Sequence, residues 1–477
     1  MSVVALIPDA ASRPPLARVR HGAALLTIAR FGLDPLGEML RLRARHGPLA
    51  EICAQDGKKS RRYVLASGAR YNKRVLSDPE TFQSVSAMLP GPRGSAQRRI
   101  ANGLLGPGGP VHAHYRRTLL PPLRRKAVDQ ASGALAALVQ REIEQWPVGR
   151  QVDLFTLCKD LAGRAALETL FSGVEGRCSE EMQRAAKLMD EHIAMESSPW
   201  VRGMPRNWPG LPYRAVLRHA EKVEAALLEW ARGEGGAGRA DSLLCLLASS
   251  ADENGSPAGE QAVLNHLPSL FGAAYETTQT ALVWTLFLLA QHPEANAALL
   301  RALEALPDDS PEQLLGCAGL DAVVRESMRL LPSVPTQTRR VSRGADLVDC
   351  DVAAGSYVVL SAFLTNREPE IYTQADRFMP ERWARIDPSA FEYLAFSAGP
   401  RSCMGAWFAA NFLRIAVGSI VRRYRISVAP GARIDQTVRI TLRPGSNGVP
   451  VTIAAQDGRF RASRISGNIR SIVKFDA

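Results

Sequence analysis

The segment Phe396-Ser-Ala-Gly-Pro-Arg-Ser-Cys-Met-Gly405 is the most informative stretch of this sequence. Gly399 can adopt backbone angles that other residues avoid, so the chain can turn tightly before Cys403. The pattern from Met404 to about Val421 predicts a helix, which puts Cys403 at a helix N-terminus. There the helix dipole and the unpaired N–H groups favour a thiolate over a thiol.

Two further residues of this segment suit a flat, anionic cofactor. Arg401 places a fixed cation near Cys403, where it can pair with a haem propionate. Gly405 lets the backbone approach the ring. A cysteine thiolate bound to haem iron favours cleavage of the O–O bond of dioxygen. The alternative is a buried structural cysteine in a Gly/Pro loop, since free cysteines are commonly buried.

The segment resembles the haem-binding loop of the cytochromes P450. That family's pattern, Phe-x-x-Gly-x-Arg-x-Cys-x-Gly, is filled here at all five fixed positions. The resemblance implies a mainly α fold with small β-sheets (α+β), with the haem between a long central helix and the cysteine loop. It implies haem b with Cys403 as the axial thiolate ligand, and contacts to the haem from Phe396, Arg401 and Gly405.

The longest helical pattern runs from about Glu260 to Gln291, and Pro268 is expected to begin the regular helix or to kink it. The helix contains Glu276 directly followed by Thr277. Burying a carboxylic acid beside a threonine in an apolar helix costs free energy of folding, so the pair indicates a function. The alternative interpretation is an acid near a helix N-terminus and a threonine bonded to its own backbone.

The surrounding segment, Gly272-Ala-Ala-Tyr-Glu-Thr-Thr278, resembles the P450 element (Ala/Gly)-Gly-x-(Asp/Glu)-Thr-(Thr/Ser). This implies that Ala273 borders the haem and that Thr277 and Glu276 deliver protons for dioxygen activation. Ala274 departs from the pattern, because the family usually has glycine there. Its methyl group is expected to narrow the groove for oxygen and water.

A predicted helix, Leu314–Leu331, contains Glu326 and Arg329 at a spacing that puts both charges on one face. Taken alone, Glu326 and Arg329 are equally consistent with an ion pair on the helix surface, which contributes little to the free energy of unfolding. The resemblance adds Arg382 from the segment Phe378-Met-Pro-Glu-Arg382 and implies a buried network that fixes the haem loop. A buried carboxylate between two guanidiniums is satisfied only if all three groups are present.

Upstream, His112 and Arg116 resemble the His/Trp-x-x-x-Arg element near the haem propionates, and their spacing puts them on one helix face. His114 is the competing histidine. Arg340, at the start of a strand-rich region, matches a family arginine that meets a propionate. Arg339 is the competing arginine.

The remaining pattern predicts further helices and strands. A helix is predicted over His114–Trp146, and strands over Thr336–Val341, Asp346–Val352, Ser356–Ser361, Val438–Leu442 and Val449–Ile453. The 477 residues, 46% hydrophobic and 22% charged, have ordinary globular composition. No linker is recognisable, so a single domain over 1–477 is predicted. The prediction allows loose order in residues 1–30 and 460–477.

Composition also bears on the environment of the protein. The seven cysteines lack zinc-type spacing, which predicts a reducing compartment, the cytoplasm. No N-terminal run reaches the roughly 18 to 20 apolar residues of a membrane span. The net charge of +12 is spread out and no nucleic-acid motif accompanies it, so a nucleic-acid partner is not expected. A basic face could instead steer an acidic electron donor.

The resemblance implies a soluble monooxygenase of bacterial type that activates dioxygen with two externally supplied electrons. It would hydroxylate or otherwise oxidise a lipophilic small molecule in specialised metabolism. No iron–sulfur cysteine cluster and no reductase domain is recognisable, so a ferredoxin or flavodoxin with an NAD(P)H-dependent reductase is implied. The alternatives are a haem-thiolate isomerase or peroxygenase, and a haem-based binding or sensor protein with little turnover.

Overall fold

The computed structural model describes residues 18–19, 21–53, 62–86, 88–106, 108–171, 179–203, 210–234 and 240–475. The helices, in chain order, are α1 His21–Leu33, α2 Pro35–His46, α3 Ala69–Leu76, α4 Ala96–Ile100, α5 Pro110–Leu119, α6 Arg125–Gln130, α7 Ser132–Ile143, α8 Leu154–Ala166, α9 Glu180–Glu196, α10 Pro199–Gly203, α11 Pro212–Glu234, α12 Leu243–Ala248, α13 Gly259–Gln291, α14 Pro293–Glu304, α15 Pro311–Gly316, α16 Ala318–Leu330, α17 Ala362–Thr365 and α18 Ala406–Arg423. The strands are β1 Arg18–Val19, β2 Leu49–Cys53, β3 Arg62–Ala66, β4 Phe82–Ser84, β5 Gln151–Asp153, β6 Thr336–Val341, β7 Ala345–Asp346, β8 Asp351–Val352, β9 Tyr357–Ser361, β10 Tyr424–Val428, β11 Gln436–Val438, β12 Leu442–Pro444 and β13 Pro450–Ala455.

The first compact unit comprises Met1–Val85, Pro335–Ala375 and Pro388–Ser402. Its main sheet has the order β1-β2-β3-β9-β6-β4, with β3 parallel to β9 and β6 antiparallel to both β9 and β4. Alternate side chains of these strands form an apolar core with α3, as expected of a sheet with one buried face. The strand β6 carries Arg339 and Arg340 on opposite faces.

The second unit comprises Ser86–Val334, Asp376–Asp387 and Cys403–Ala477, and it is mostly helical. The helix α13 runs through its centre and packs against α8, α12, α4, α18 and α16. Every residue of α13 from Thr278 to Gln291 is buried, as expected of a helix covered on all sides. The strands β10, β13 and β5 form a second small sheet.

The predicted fold class, mainly α with small sheets, is confirmed. The single domain stays a prediction, since the contacts divide the chain into the two units above. Most of segment 1–30 lies outside the described residues, whereas 460–475 is packed, with Ile469 and Val473 buried. None of the described helices is both long and apolar enough to cross a membrane.

Candidate active site

Cys403 immediately precedes the turn that begins α18. Its side chain is accessible, yet neighbouring protein atoms surround it closely enough for burial to raise the pKa of the thiol. The Gly405 backbone N–H donates to the sulfur and the Arg116 guanidinium lies near it, and both lower this pKa. Burial outweighs the helix N-terminus on which the sequence prediction relied. A thiolate at this position therefore needs a further positive charge.

Arg116 lies on α5, which also carries both candidate histidines. Burial lowers the pKa of the Arg116 guanidinium, and the Cys403 sulfur opposes this effect. His114 Nε2 donates to the Ala251 carbonyl oxygen at 2.9 Å, so this side chain already has a structural partner. His112 is half-buried, one turn before Arg116. Of the two histidines, His112 is the one that lies a full turn before Arg116 and so shares its face of α5.

In the first unit, the loop before Cys403 is held by its backbone. Gly399 has φ +73°, and a Cβ at this position would lie 2.3 Å from the Leu76 carbonyl oxygen, so only glycine fits. Ser397 Oγ donates to Gln337 Oε1 at 2.8 Å, which ties the loop to β6. Phe396 and Arg401 are both half-buried in this loop.

The alternation of β6 separates the two candidate arginines. Arg339 is buried and donates to Gln337 Oε1 at 3.2 Å, whereas the Arg340 side chain is exposed. Burial and, as the smaller cause, the nearby Arg401 guanidinium together lower the pKa of Arg339 to about 10. The guanidiniums of the buried Arg339 and the half-buried Arg401 together favour the binding of an anion beside them. The arginine selected from the sequence, Arg340, points into solvent, whereas the competing Arg339 lies in the protein interior.

Part of α13 keeps accessible surface although the helix around it is buried. From His266 to Gln291, every residue is buried except Gly272, Ala273, Ala274 and Thr277. Thr277 lies one turn after Ala273, so the two share a face of the helix. The accessible face of this stretch therefore carries the alcohol of Thr277, while the acid beside it, Glu276, is buried.

The two members of this pair are held by different contacts. Glu276 is 7% exposed, and its Oε1 accepts a hydrogen bond from Thr441 Oγ1 at 3.1 Å, with Arg443 Nη1 at 4.0 Å. Thr277 Oγ1 donates to the Ala273 carbonyl oxygen at 2.7 Å, so its oxygen remains able to accept. Burial raises the pKa of Glu276 despite Arg443 and Thr441. A carboxyl with a raised pKa keeps its proton more readily and can donate it.

The structure brings Glu326, Arg329 and Arg382 together. Glu326 and Arg329 are fully buried, and Arg329 Nε donates to Glu326 Oε2 at 2.9 Å while Arg382 Nε donates to Oε1 at 3.0 Å. Two donors that sequence reasoning missed complete the shell: the Met379 N–H at 2.9 Å and Trp383 Nε1 at 3.1 Å. Trp383 directly follows Arg382 in the sequence, and this position could have indicated that it also donates to Glu326.

Comparison with known proteins identifies the class. The family model described as Cytochrome P450 matches residues 34–449. The chain therefore belongs to the cytochrome P450 family. It is a cytochrome P450 monooxygenase.

Several oxygenases are similar over most of the chain. Pentalenene oxygenase of Streptomyces avermitilis is 25% identical, over 78% of this chain and 83% of that protein. Cyclooctat-9-en-7-ol 5-monooxygenase of Streptomyces melanosporofaciens is 27% identical, over 82% and 84%. Among solved structures, retinoic acid-bound cyanobacterial CYP120A1 shares the fold, with a TM-score of 0.75 at 18% identity, covering 89% of this chain and 96% of that one.

The family implies a haem-thiolate cofactor, and the residues present fit it. The Cys403 thiol is accessible, and a bound metal ion would supply the positive charge that deprotonates it. Arg116 in the second unit and Arg339 in the first are partly or fully buried cations suited to carboxylates. Ala273 leaves space beside α13.

Proposed function

We propose that this P450 oxidises a lipophilic terpenoid, with haem b held by the Cys403 thiolate. The observation that carries the proposal is the accessible Cys403 thiol in a protein whose helix α13, buried from His266 to Gln291, keeps accessible surface there only at Gly272, Ala273, Ala274 and Thr277. The terpenoid class is supported by the similarity to pentalenene oxygenase and to the cyclooctat-9-en-7-ol monooxygenase. Bacterial specialised metabolism is the setting in which we place it.

The expected pocket segments support a lipophilic substrate. They are rich in Leu, Ala, Pro, Met and Trp, and are Ser84–Gly109, Met189–Tyr213, Leu267–Thr277 and Leu331–Thr338. Residues 204–209 of the second segment lie outside the described residues. Apolar walls with a few polar groups are typical of sites for such ligands.

Individual residues take distinct roles in this proposal. Cys403 would hold the haem iron through its sulfur, and the Gly405 N–H would stabilise the negative charge of that sulfur. In the second unit, His112 and Arg116 would bind a haem propionate. In the first unit, Arg339 and Arg401 are the cations suited to such a carboxylate. Phe396 and Ala273 would contact the ring. When bound, the haem supplies dioxygen activation and the transfer of one oxygen atom to substrate.

Glu276 and Thr277 manage protons in this scheme. Burial raises the pKa of Glu276, so this carboxyl keeps its proton more readily than an exposed one and can donate it. Thr277 Oγ1 donates its own proton to the Ala273 carbonyl oxygen, so it accepts a hydrogen bond from the water that relays the proton and thereby orients that water. Thr441 and Arg443 hold the acid in place and stabilise its anion after the proton leaves.

Reconstitution with a surrogate ferredoxin, its reductase and NADPH tests the proposal. Cyclic terpenes are expected to shift the haem spin state and to yield products with one added oxygen, with NADPH consumption tied to product. Fatty acids of similar size are the comparison ligands. Faster turnover with hydrogen peroxide than with the reductase would favour a peroxygenase, and haem binding without product would favour a sensor.

The two arginines of β6 provide a matched test of haem binding. Arg339→Ala is expected to weaken haem retention about tenfold or more, because a hydrogen bond to a charged group contributes about 1.5–3 kcal/mol. Arg340→Ala should change retention less than about twofold, because its side chain is exposed. Haem transfer to apomyoglobin measures both rates. Equal losses in the two variants would contradict the assignment of Arg339.

We propose that a ferredoxin or flavodoxin, reduced by an NAD(P)H-dependent reductase, supplies the electrons. A basic surface supports this, which we call the Trp407 patch: Arg124, Arg125, Lys126 and Trp407. All four side chains are exposed, and Arg125 lies over the Trp407 ring at 5.0 Å. Trp407 is on the first turn of α18, four residues after Cys403. Arginine and tryptophan are frequent energetic centres of interfaces.

Charge reversal tests this surface. Arg124→Glu is expected to slow the first electron transfer from the acidic donor about three- to tenfold at low ionic strength, because steering is lost. The difference should shrink in about 1 M salt, where the Debye length is about 3 Å. Arg150→Glu, an equal charge change at another exposed arginine, is the control. The proposal fails if stopped-flow reduction slows equally in both variants.

A cytoplasmic location follows from the same proposal. Its donors and reductase are intracellular in this scheme. A reducing compartment is compatible with the buried cysteines that form no disulfide, which are Cys158, Cys245, Cys317 and Cys350.

A further inference from the structure

A polar chain joins three helices beside Glu276. Tyr275, which precedes Glu276 on α13, is 3% exposed, and its hydroxyl donates to Asp190 Oδ1 on α9. On the other side, Lys159 Nζ of α8 donates to Asp190 Oδ2 at 2.5 Å. We call Lys159, Asp190 and Tyr275 the Asp190 network.

This network fixes one carboxylate in a defined place. Hydrogen bonds to an ionised carboxylate are shorter and stronger than neutral ones, so two donors hold Asp190 firmly. The Tyr275 ring packs on Phe271, with ring centroids 4.7 Å apart, which restricts the hydroxyl as well. Lys159 is the outer end of the network, with a side chain 40% exposed.

Charges of both signs therefore act on Glu276 from different elements. Burial is the main reason that its pKa is raised, and Asp190 on α9 raises it further. Arg443, Thr441 and Arg439, in and beside β12, lower it. A held carboxylate and a pair of arginines thus act on the acid in opposite directions, so its protonation reflects the balance of the two.

We propose that Asp190 is a positioning residue for the oxidation: Lys159 and Tyr275 hold its carboxylate where it keeps Glu276 protonated until the proton is needed. The inference rests on the proposed function, in which Glu276 supplies protons. The proton leaves a Glu276 carboxyl oxygen and is replaced from solvent. Lys159 tunes the effect, because its positive charge offsets part of the Asp190 field.

Two substitutions are expected to shift the pH dependence in opposite directions. Turnover requires the protonated acid and falls as pH rises through the Glu276 pKa. Asp190→Asn removes a negative charge, lowers this pKa and moves the alkaline limb to lower pH. Lys159→Met removes a positive charge, raises the pKa and moves the limb to higher pH. On the alkaline side, Asp190→Asn should lower kcat about three- to tenfold, since one pH unit changes the protonated fraction about tenfold.

An infrared titration provides a readout without turnover. The carboxyl stretch of Glu276 is identified in the haem-loaded protein as the band lost in Glu276→Gln, and its midpoint is measured in both variants. Opposite shifts support the inference; shifts of the same sign, or none, would overturn it. If the band shifts as expected but no substrate is oxidised, the proposed function fails and the inference about Glu276 stands.

Tyr275→Phe distinguishes a held carboxylate from a merely nearby one. The substitution keeps every charge but removes the hydroxyl that fixes Asp190. In this background, the shift caused by Asp190→Asn should shrink to less than about half, a non-additivity expected of contacting residues. An undiminished shift would show that Tyr275 does not position Asp190.

Discussion

Replacing Cys403 by alanine is expected to remove the long-wavelength Soret band of the reduced, carbon monoxide-bound protein. Turnover should fall at least about a thousandfold, equivalent to about 4 kcal/mol of activation free energy. The reason is that the sulfur is the anionic ligand whose electron density favours O–O cleavage, and a methyl group cannot replace it. The thiol is accessible, so its removal leaves core packing largely intact. Visible spectra and product formation measure the two effects.

Cys245→Ala is the matched control for this prediction. Cys245 is also a cysteine outside any disulfide, but it is buried in α12 among apolar residues. Its removal should leave the Soret band in place, with a modest cost in stability. If Cys403→Ala kept the band, another residue would be the ligand and the proposed site would be wrong.

The cysteine loop could be predicted from the sequence because its information is local. Gly399 sits where the backbone has positive φ and touches the Leu76 carbonyl, so residue type and geometry match without knowledge of distant segments. The helix after Cys403 was predicted from Met404 and begins at Ala406, a difference of the size that helix ends commonly show.

Prolines had opposite effects in two predicted helices. The helix predicted over His114–Trp146 is divided into α5, α6 and α7, because Pro121 and the following Pro122 cannot continue a helix and restrict the residue before them. In contrast, α13 continues through Pro268, which is buried within it. Packing on all sides stabilises α13 despite the hydrogen bond lost at Pro268. Because this stabilisation comes from tertiary contacts, the sequence pattern did not show it.

The contacts of Glu276 could not be predicted, since they depend on how distant segments meet. Thr441 is 165 positions away in the sequence. A strand was predicted over Val438–Leu442, where the structure has the turn between β11 and β12, and this turn delivers Thr441 to the acid. The strand β6 was predicted correctly, but the sequence pattern did not show which of its faces is buried, so it did not separate Arg339 from Arg340.

Replacing Glu326 by glutamine, although a conservative substitution, is expected to cause a large loss of stability. Glu326 is fully buried and accepts hydrogen bonds from Arg329, Arg382, Met379 N–H and Trp383. A neutral amide leaves two buried guanidiniums without a counter-charge and turns its NH₂ group toward donors. Breaking a buried pair in this way costs about 3–5 kcal/mol. Denaturant unfolding of the haem-loaded protein measures the loss.

The neighbouring Glu381 provides the control, because it is exposed next to Arg382. Glu381→Gln should change the free energy of unfolding by less than about 0.5 kcal/mol. A loss in Glu326→Gln no larger than this would mean that the network contributes little.

The double variant Glu326→Gln/Arg329→Gln adds a sharper criterion. If the cost of the single variant comes from unpaired charge, removing one of the two guanidiniums should recover part of the lost stability. If it comes from lost packing alone, the double variant should be less stable than either single one.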